Sequence, residues 1–429
     1  MTHRQLRNGI RLAVILLVAL AGTAPANPAE GFPQLHYRFR HLTIDDGLSQ
    51  SSVHTLLQDR QGFVWIGTQD GLNRYDGNEF RVWKTDADAR LTLVDPYITA
   101  LVEDDDGRLW VGSESSGFGC FDPARWEFVF ICKGPRRDAD DTGLNYEVLD
   151  LTLDDHGRVW VATRSHGIVR YDPVTGNRRG WREADGLPAD EVHALLAVSG
   201  DAMLAATDRG LVVVDGTASR PRPLAPAAGD PAGPAPYPVR SLHRDATGRI
   251  WLGTVHGLAL CDLGSRTWRH VLHRGQATLA DLGPDGVVAV AEDAQGDLWL
   301  SGLGLLRYDV DTGTCVSMRA DLRDPSSLQT DASQTLMVDE SGVVWVGHDL
   351  GASLLDTRAK RFYHVEHEVD GENTLSHNTV WSLHEDSRGL LWIATGDGLC
   401  IYDRQTQRFD VHHGDPTRES CPSNDIYTT

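Results

Sequence analysis

The chain has 429 residues, a hydrophobic fraction of 41% and a formal net charge of −21. That apolar content supports a large buried core and excludes global disorder. The acidic balance excludes a nucleic-acid binder, which needs a basic footprint, and disfavours anionic lipid surfaces.

The first element reads as an export signal. Arg4, Arg7 and Arg11 precede an apolar run over 12–21, and Ala24-Pro25-Ala26 supplies the small residues of a signal-peptidase site. The run is shorter than the about 20 apolar residues a membrane-crossing helix needs. Residues 1–26 are therefore expected to be a cleaved signal peptide. Without its three arginines, 37 basic residues face 61 acidic ones in the mature chain, which is expected to be periplasmic. Six cysteines stand at 120, 132, 261, 315, 400 and 421 with no C-x-x-C spacing. Disulfides are permitted in that compartment, and Cys120–Cys132, on neighbouring strands of one hairpin, is the pair to expect.

Next comes a short strand pattern at 37–43, then a repeat. Tryptophans at 65, 110, 160, 251, 299, 345 and 392, with Leu204 filling the double-width gap, are spaced by 45, 50, 44, 47, 48, 46 and 47 residues. An aspartate stands six residues before each tryptophan, from Asp59 to Asp386, and a glycine three before it, from Gly62 to Gly389. Within the first unit, apolar runs at 53–58, 63–68, 72–75 and 80–83 are separated by Asp/Gly turns, the pattern of four antiparallel strands. Four strands in roughly 45 residues make one blade of a β-propeller. The tryptophans are read as wedges filling the space between blades. The unit around Leu204 is degenerate, and the proline-rich 221–238 that follows reads as a long surface loop.

The fold class expected is thus all-β, a propeller of four-stranded antiparallel blades. Seven units could close on the strand at 37–43, giving a propeller over 37–360, with residues 361–429 opening a second ring. A single eight-bladed ring is the alternative. Ser423-Asn-Asp-Ile-Tyr-Thr428 resembles the start of the preceding unit at Ser376, so a longer protein is expected.

Leu42-Thr-Ile-Asp-Asp-Gly-Leu-Ser49, Asp59-x-x-Gly-Phe-Val-Trp-Ile-Gly-Thr68 and Gly71-Leu-Asn-Arg-Tyr-Asp76 resemble the two-component regulator propeller repeat. The resemblance covers about 37–429. It departs at the Leu204 unit, at Ser301-Gly302 in place of Gly-Thr, and at His348. It implies the periplasmic sensor region of a hybrid histidine kinase or a diguanylate cyclase, with two propellers, a β-sandwich, a membrane helix and a cytoplasmic output domain in relatives. The membrane would then be reached only through downstream segments.

No H-E-x-x-H, G-x-S-x-G or phosphate-binding loop occurs, so no catalytic residue, metal site or cofactor is expected. Function should lie in the varied turns after each anchor strand: Asp70, His166, Arg209, His256, Asp349 and Asp397. These are the candidate ligand-binding residues on the channel face. The reading is a non-catalytic sensor module for an extracytoplasmic small molecule or oligosaccharide, with self-association as a dimer open to it. The alternative is a secreted propeller enzyme, a lyase or glycan hydrolase.

Overall fold

In a computed structural model of the protein, the described residues are 37–414, apart from 86–94, 124, 126, 131–146, 217–219, 234–236, 274–282, 359–366, 368–372, 404–405 and 407. The expected signal peptide, Cys132 and the segment at 423–428 lie outside them. Among the described residues, no helix is long and apolar enough to cross a membrane.

The chain forms two compact units, one of them 37–360. This unit contains seven sheets. We number these blades by chain order: blade 1 (53–83), blade 2 (98–130), blade 3 (148–181), blade 4 (192–223), blade 5 (239–273), blade 6 (289–318) and blade 7 (333–356). The first strand of each blade packs beside the first strand of the next, and blade 7 returns to blade 1. The inner strands therefore form a closed ring around a channel. Phe39–Leu42 is the outer strand of blade 7, antiparallel to Gly351–Asp356, with Phe39 opposite Leu355 and Leu42 opposite Ala352. The other unit includes a sheet of four strands, Val380–Glu385, Leu390–Thr395, Gly398–Asp403 and Arg408–His412.

Each repeat residue has a structural task. One carboxylate oxygen of Asp154 accepts from the amides of His156 and Arg158, and the other accepts from the Trp160 indole Nε1 at 2.8 Å. The same carboxylate-to-indole bond recurs from Asp59–Trp65 to Asp386–Trp392, at 2.7–3.2 Å. A buried indole N–H must be satisfied, and the turn aspartate does it while shaping its own hairpin. The rings then fill the wedges. Trp65 packs with Ile98, Leu101 and Phe121 of blade 2, and Trp160 with Val192, Leu195 and Met203 of blade 4. Fully burying one such large side chain contributes on the order of 1.5–3 kcal/mol. The glycine two after the tryptophan lets the next blade approach: a Cβ on Gly67 would lie 2.7 Å from Ile98 Cγ2.

One feature differs from the sequence reading. The segment 221–238 is no simple surface loop. Ala225–Pro226 adds a parallel fifth strand to blade 5, and Leu224, Asp230 and Tyr237 are buried. Its proline and alanine content hid apolar anchors at Leu224 and Tyr237. Blade 4 is a full blade in spite of its missing tryptophan, because Leu204, Met203 and Val212 are buried without exposure. Cys120 is a buried free thiol, pushed up to about 12 by burial; its expected partner Cys132 is not among the described residues.

Candidate functional site at the channel mouth

Antiparallel pairing places the start of each inner strand beside the turn that ends the second strand. Val53 lies opposite Thr68, Val148 opposite Thr163, Val192 opposite Thr207, Val239 opposite Thr254 and Ser333 opposite His348. All these ends ring one mouth of the channel. The turn itself is built alike in most blades: the Thr68 hydroxyl donates to the Gly71 carbonyl and accepts from the Asp70 amide, and Thr163, Thr207, Thr254 and Thr395 repeat the pattern.

The candidate residues occupy these turns. Asp70 is ion-paired with Lys84 at 2.5 Å. His166 Nδ1 lies 2.9 Å from Ser165 Oγ, and burial followed by Arg182 pushes its imidazole down. Arg209 lies 3.6 Å from Glu183 and lines a cleft of about 330 Å³ between its turn and the 224–233 segment. The His256 ring stands edge-on to Tyr237 at 4.7 Å. Asp349 accepts from Ser52 Oγ and Gln334 Nε2, both at 2.5 Å. Asp397 belongs to the second unit, 3.6 Å from His413, so it is not placed with the other five.

Of these five, Asp349 joins the innermost polar ring, most of which comes from inner-strand starts that the sequence reading did not single out. His54 packs on Tyr97 with ring centroids 4.6 Å apart. Burial lowers the His54 pKa and Asp349 opposes that shift. Burial also raises Tyr97, a side-chain hydrogen bond with Gln69 opposes the shift, and the charges of Glu114, Asp349 and Glu147 add to it. Arg164 bridges Glu147 and Glu191, which immediately precede the inner strands of blades 3 and 4. His193 contacts Arg240 at 3.0 Å and Asp208 at 3.4 Å, and burial, then Arg240, lowers its pKa against Glu191 and Asp208. The available signal was positional: each of His54, His193, Arg240 and Gln334 directly follows the inner-strand residue that pairs with the turn.

Three clusters test the chemistry. At the mouth, Ser52 Oγ donates to Asp349 and lies 3.2 Å from His54 Nε2. The serine, not the histidine, is central, so the imidazole is not held between nucleophile and carboxylate as a hydrolytic triad requires. Asp230 of the 221–238 segment and His270 and Thr254 of blade 5 do have that connectivity, at 2.9 and 2.8 Å. They are buried at 8%, 5% and 0% exposure, so no substrate reaches the hydroxyl; the set pins the 221–238 segment to its blade. Asp154, His156 and Asp201 offer metal-ligand atoms, but the Arg158 guanidinium already bridges Asp154 and Asp201. A cation is thereby supplied by the chain.

Fold and mouth define a β-propeller with a polar channel face. Residues 47–70, 92–115 and 374–397 match the profile of the family described as Two component regulator propeller, so these three segments carry that family's repeat. Over 49 residues, 11% of this chain and 4% of the relative, it is 47% identical to "Histidine kinase P4" of Formosa agariphila. The extracellular domain of BT3049 from B. thetaiotaomicron, described as a hybrid two component system, is similar with a TM-score of 0.73 at 20% identity, over 91% of this chain and 50% of that one. A streptogramin B lyase is similar with a TM-score of 0.54 at 12% identity, over 75% of this chain and 99% of the lyase. The chain thus spans half the length of the BT3049 domain, and a small fraction of the kinase.

Proposed function

We propose that this propeller is the extracytoplasmic ligand-sensing segment of a two-component-type regulator, that it binds without catalysing, and that the channel mouth is its ligand site. One observation carries the reading. The recurring polar residues are committed to turns and indoles, whereas the non-repeating ones converge at the mouth, around Tyr97, His54, Asp349, Gln334 and Glu147. An aromatic face beside amides and carboxylates suits a polyhydroxylated ligand: the ring offers an apolar surface and the polar groups fix orientation. A carbohydrate is the class this favours. Likeness to sensor extracellular domains supports the sensor reading, and periplasmic placement follows from the export signal expected over 1–26.

The test is an oligosaccharide panel assayed in parallel for heat of binding and for product release. Saturable binding, weakened at least tenfold by Tyr97→Ala with the ligand recovered intact, is the expected result. Turnover of any panel member would instead establish the enzyme reading, for which the lyase shows only that the fold can serve.

A further inference from the structure

Blade 7 departs from its neighbours where the ring closes. The hydroxyl that builds the turn in most blades is replaced by His348, which is fully buried. His348 Nδ1 accepts from the Leu350 amide at 3.2 Å, and Nε2 lies 2.8 Å from Ser353 Oγ. The same serine oxygen lies 3.0 Å from Nδ1 of His41, on the closing strand Phe39–Leu42, and His41 Nε2 lies 3.2 Å from the Pro325 carbonyl.

The proton positions follow from the two ends. A carbonyl only accepts, so His41 Nε2 carries a proton and, in the neutral ring, Nδ1 is an acceptor. An amide only donates, so His348 Nδ1 is bare and Nε2 carries its proton. Ser353 therefore accepts from His348 and donates to His41. Every donor and acceptor is used once, in one direction, from the Leu350 amide to the Pro325 carbonyl.

We infer that this relay is an acid-sensitive latch on ring closure. A second proton on His41 must sit on Nδ1, facing the Ser353 hydroxyl. Ser353 would then accept from both imidazoles and its own proton would lose its acceptor at a fully buried site. Burial first, then the nearby His41, pushes His348 down to about 4, with Asp349 opposing, so His348 does not yield by taking up charge, and the Leu350 amide on Nδ1 holds its tautomer. The other charged groups nearby on the packed segments are committed. Asp321 and Asp324 accept from amides of their own segment, and Arg40, on the closing strand, donates to Tyr75 on blade 1. His41 is partly exposed, so a proton can reach it from solvent. The latch stands whether or not the mouth is the ligand site.

The experiment is amide exchange of residues 39–42 in the full chain at pH 8 and pH 5, corrected for intrinsic rates, with Leu109–Ser113 of blade 2 as the control strand. Protection of 39–42 is expected to fall at least tenfold at pH 5 while the control holds. His41→Gln should remove the difference. His348→Thr should remove it too, because it restores the hydroxyl of the other turns and gives the Ser353 proton an alternative acceptor. Equal protection of the wild type at both pH values overturns the latch. So does a His348→Thr protein that loses protection as the wild type does. Should either variant fail to fold, the wild-type comparison still decides.

Discussion

Two carboxylates with opposite pKa shifts show how much a single side chain's surroundings decide. Burial would raise Asp245, but bonds from the Trp251 indole, Thr247 and Arg249 hold it well below the usual carboxylate range. Its contribution is present above the ordinary carboxylate value and is lost as pH falls through the depressed one. Asp150 goes the other way. It is enclosed between the inner strands of blades 3 and 4, and burial pushes it up to about 7 against two amide bonds, from Leu151 and Leu195. A raised carboxyl in the folded state means that the native protein holds the proton longer than the unfolded chain does. Stability from this group is therefore greatest near pH 4 and declines as pH rises to about 7. Asp150→Asn should flatten that decline, measured as the difference in urea midpoint between pH 5 and pH 8. An unaltered slope would refute the assignment.

At the scale of strands and turns, closure depends on a close approach. Gly351 begins the strand that receives Phe39–Leu42, its φ is +130°, and a Cβ there would lie 2.2 Å from the Leu42 carbonyl. Gly351→Ala should cost on the order of 1–3 kcal/mol from the backbone conformation alone, read as a lower denaturation midpoint with exchange at 39–42 rising before that of other strands. This scale is also where the sequence is most and least informative. The tryptophan period and the Asp/Gly turns made the blades legible, because every unit solves the same wedge-packing problem with the same residues. The aspartate-to-indole bond was not legible: a turn aspartate needs only its local amides, and nothing in a spacing of six says that the side chain also reaches a ring. Nor were the buried anchors of 221–238, since a proline-rich composition does not reveal which two side chains dock. The candidate site was legible in outline. The hairpin turns were identified, but the innermost polar set arises one strand further in, where a single residue per blade differs from unit to unit and carries no motif.

For the whole molecule, the join between chain beginning and blade 7 has a consequence for the order of folding. Most contacts in the unit are hairpins between sequence neighbours or packing between consecutive blades, and these can form early because little loop entropy opposes them. The contact between His41 and Ser353 spans 312 residues, and it exists only after all seven blades have been made and stacked. Refolding should therefore be biphasic. Tryptophan burial, which reports on wedges between consecutive blades, should develop first. Protection of residues 39–42 should follow in a slower step, and pulse-labelled exchange resolves the two. Simultaneous protection would mean that the end strand docks before the stack is complete. During that interval Gly351–Asp356 presents an unpaired row of amides and carbonyls, a template for any extended segment nearby. A second molecule paused at the same step offers the same sequence, Phe39–Leu42, and can donate it across. Slow refolding at high protein concentration should thus yield strand-exchanged dimers whose blades are native and whose only fault is the parentage of one strand.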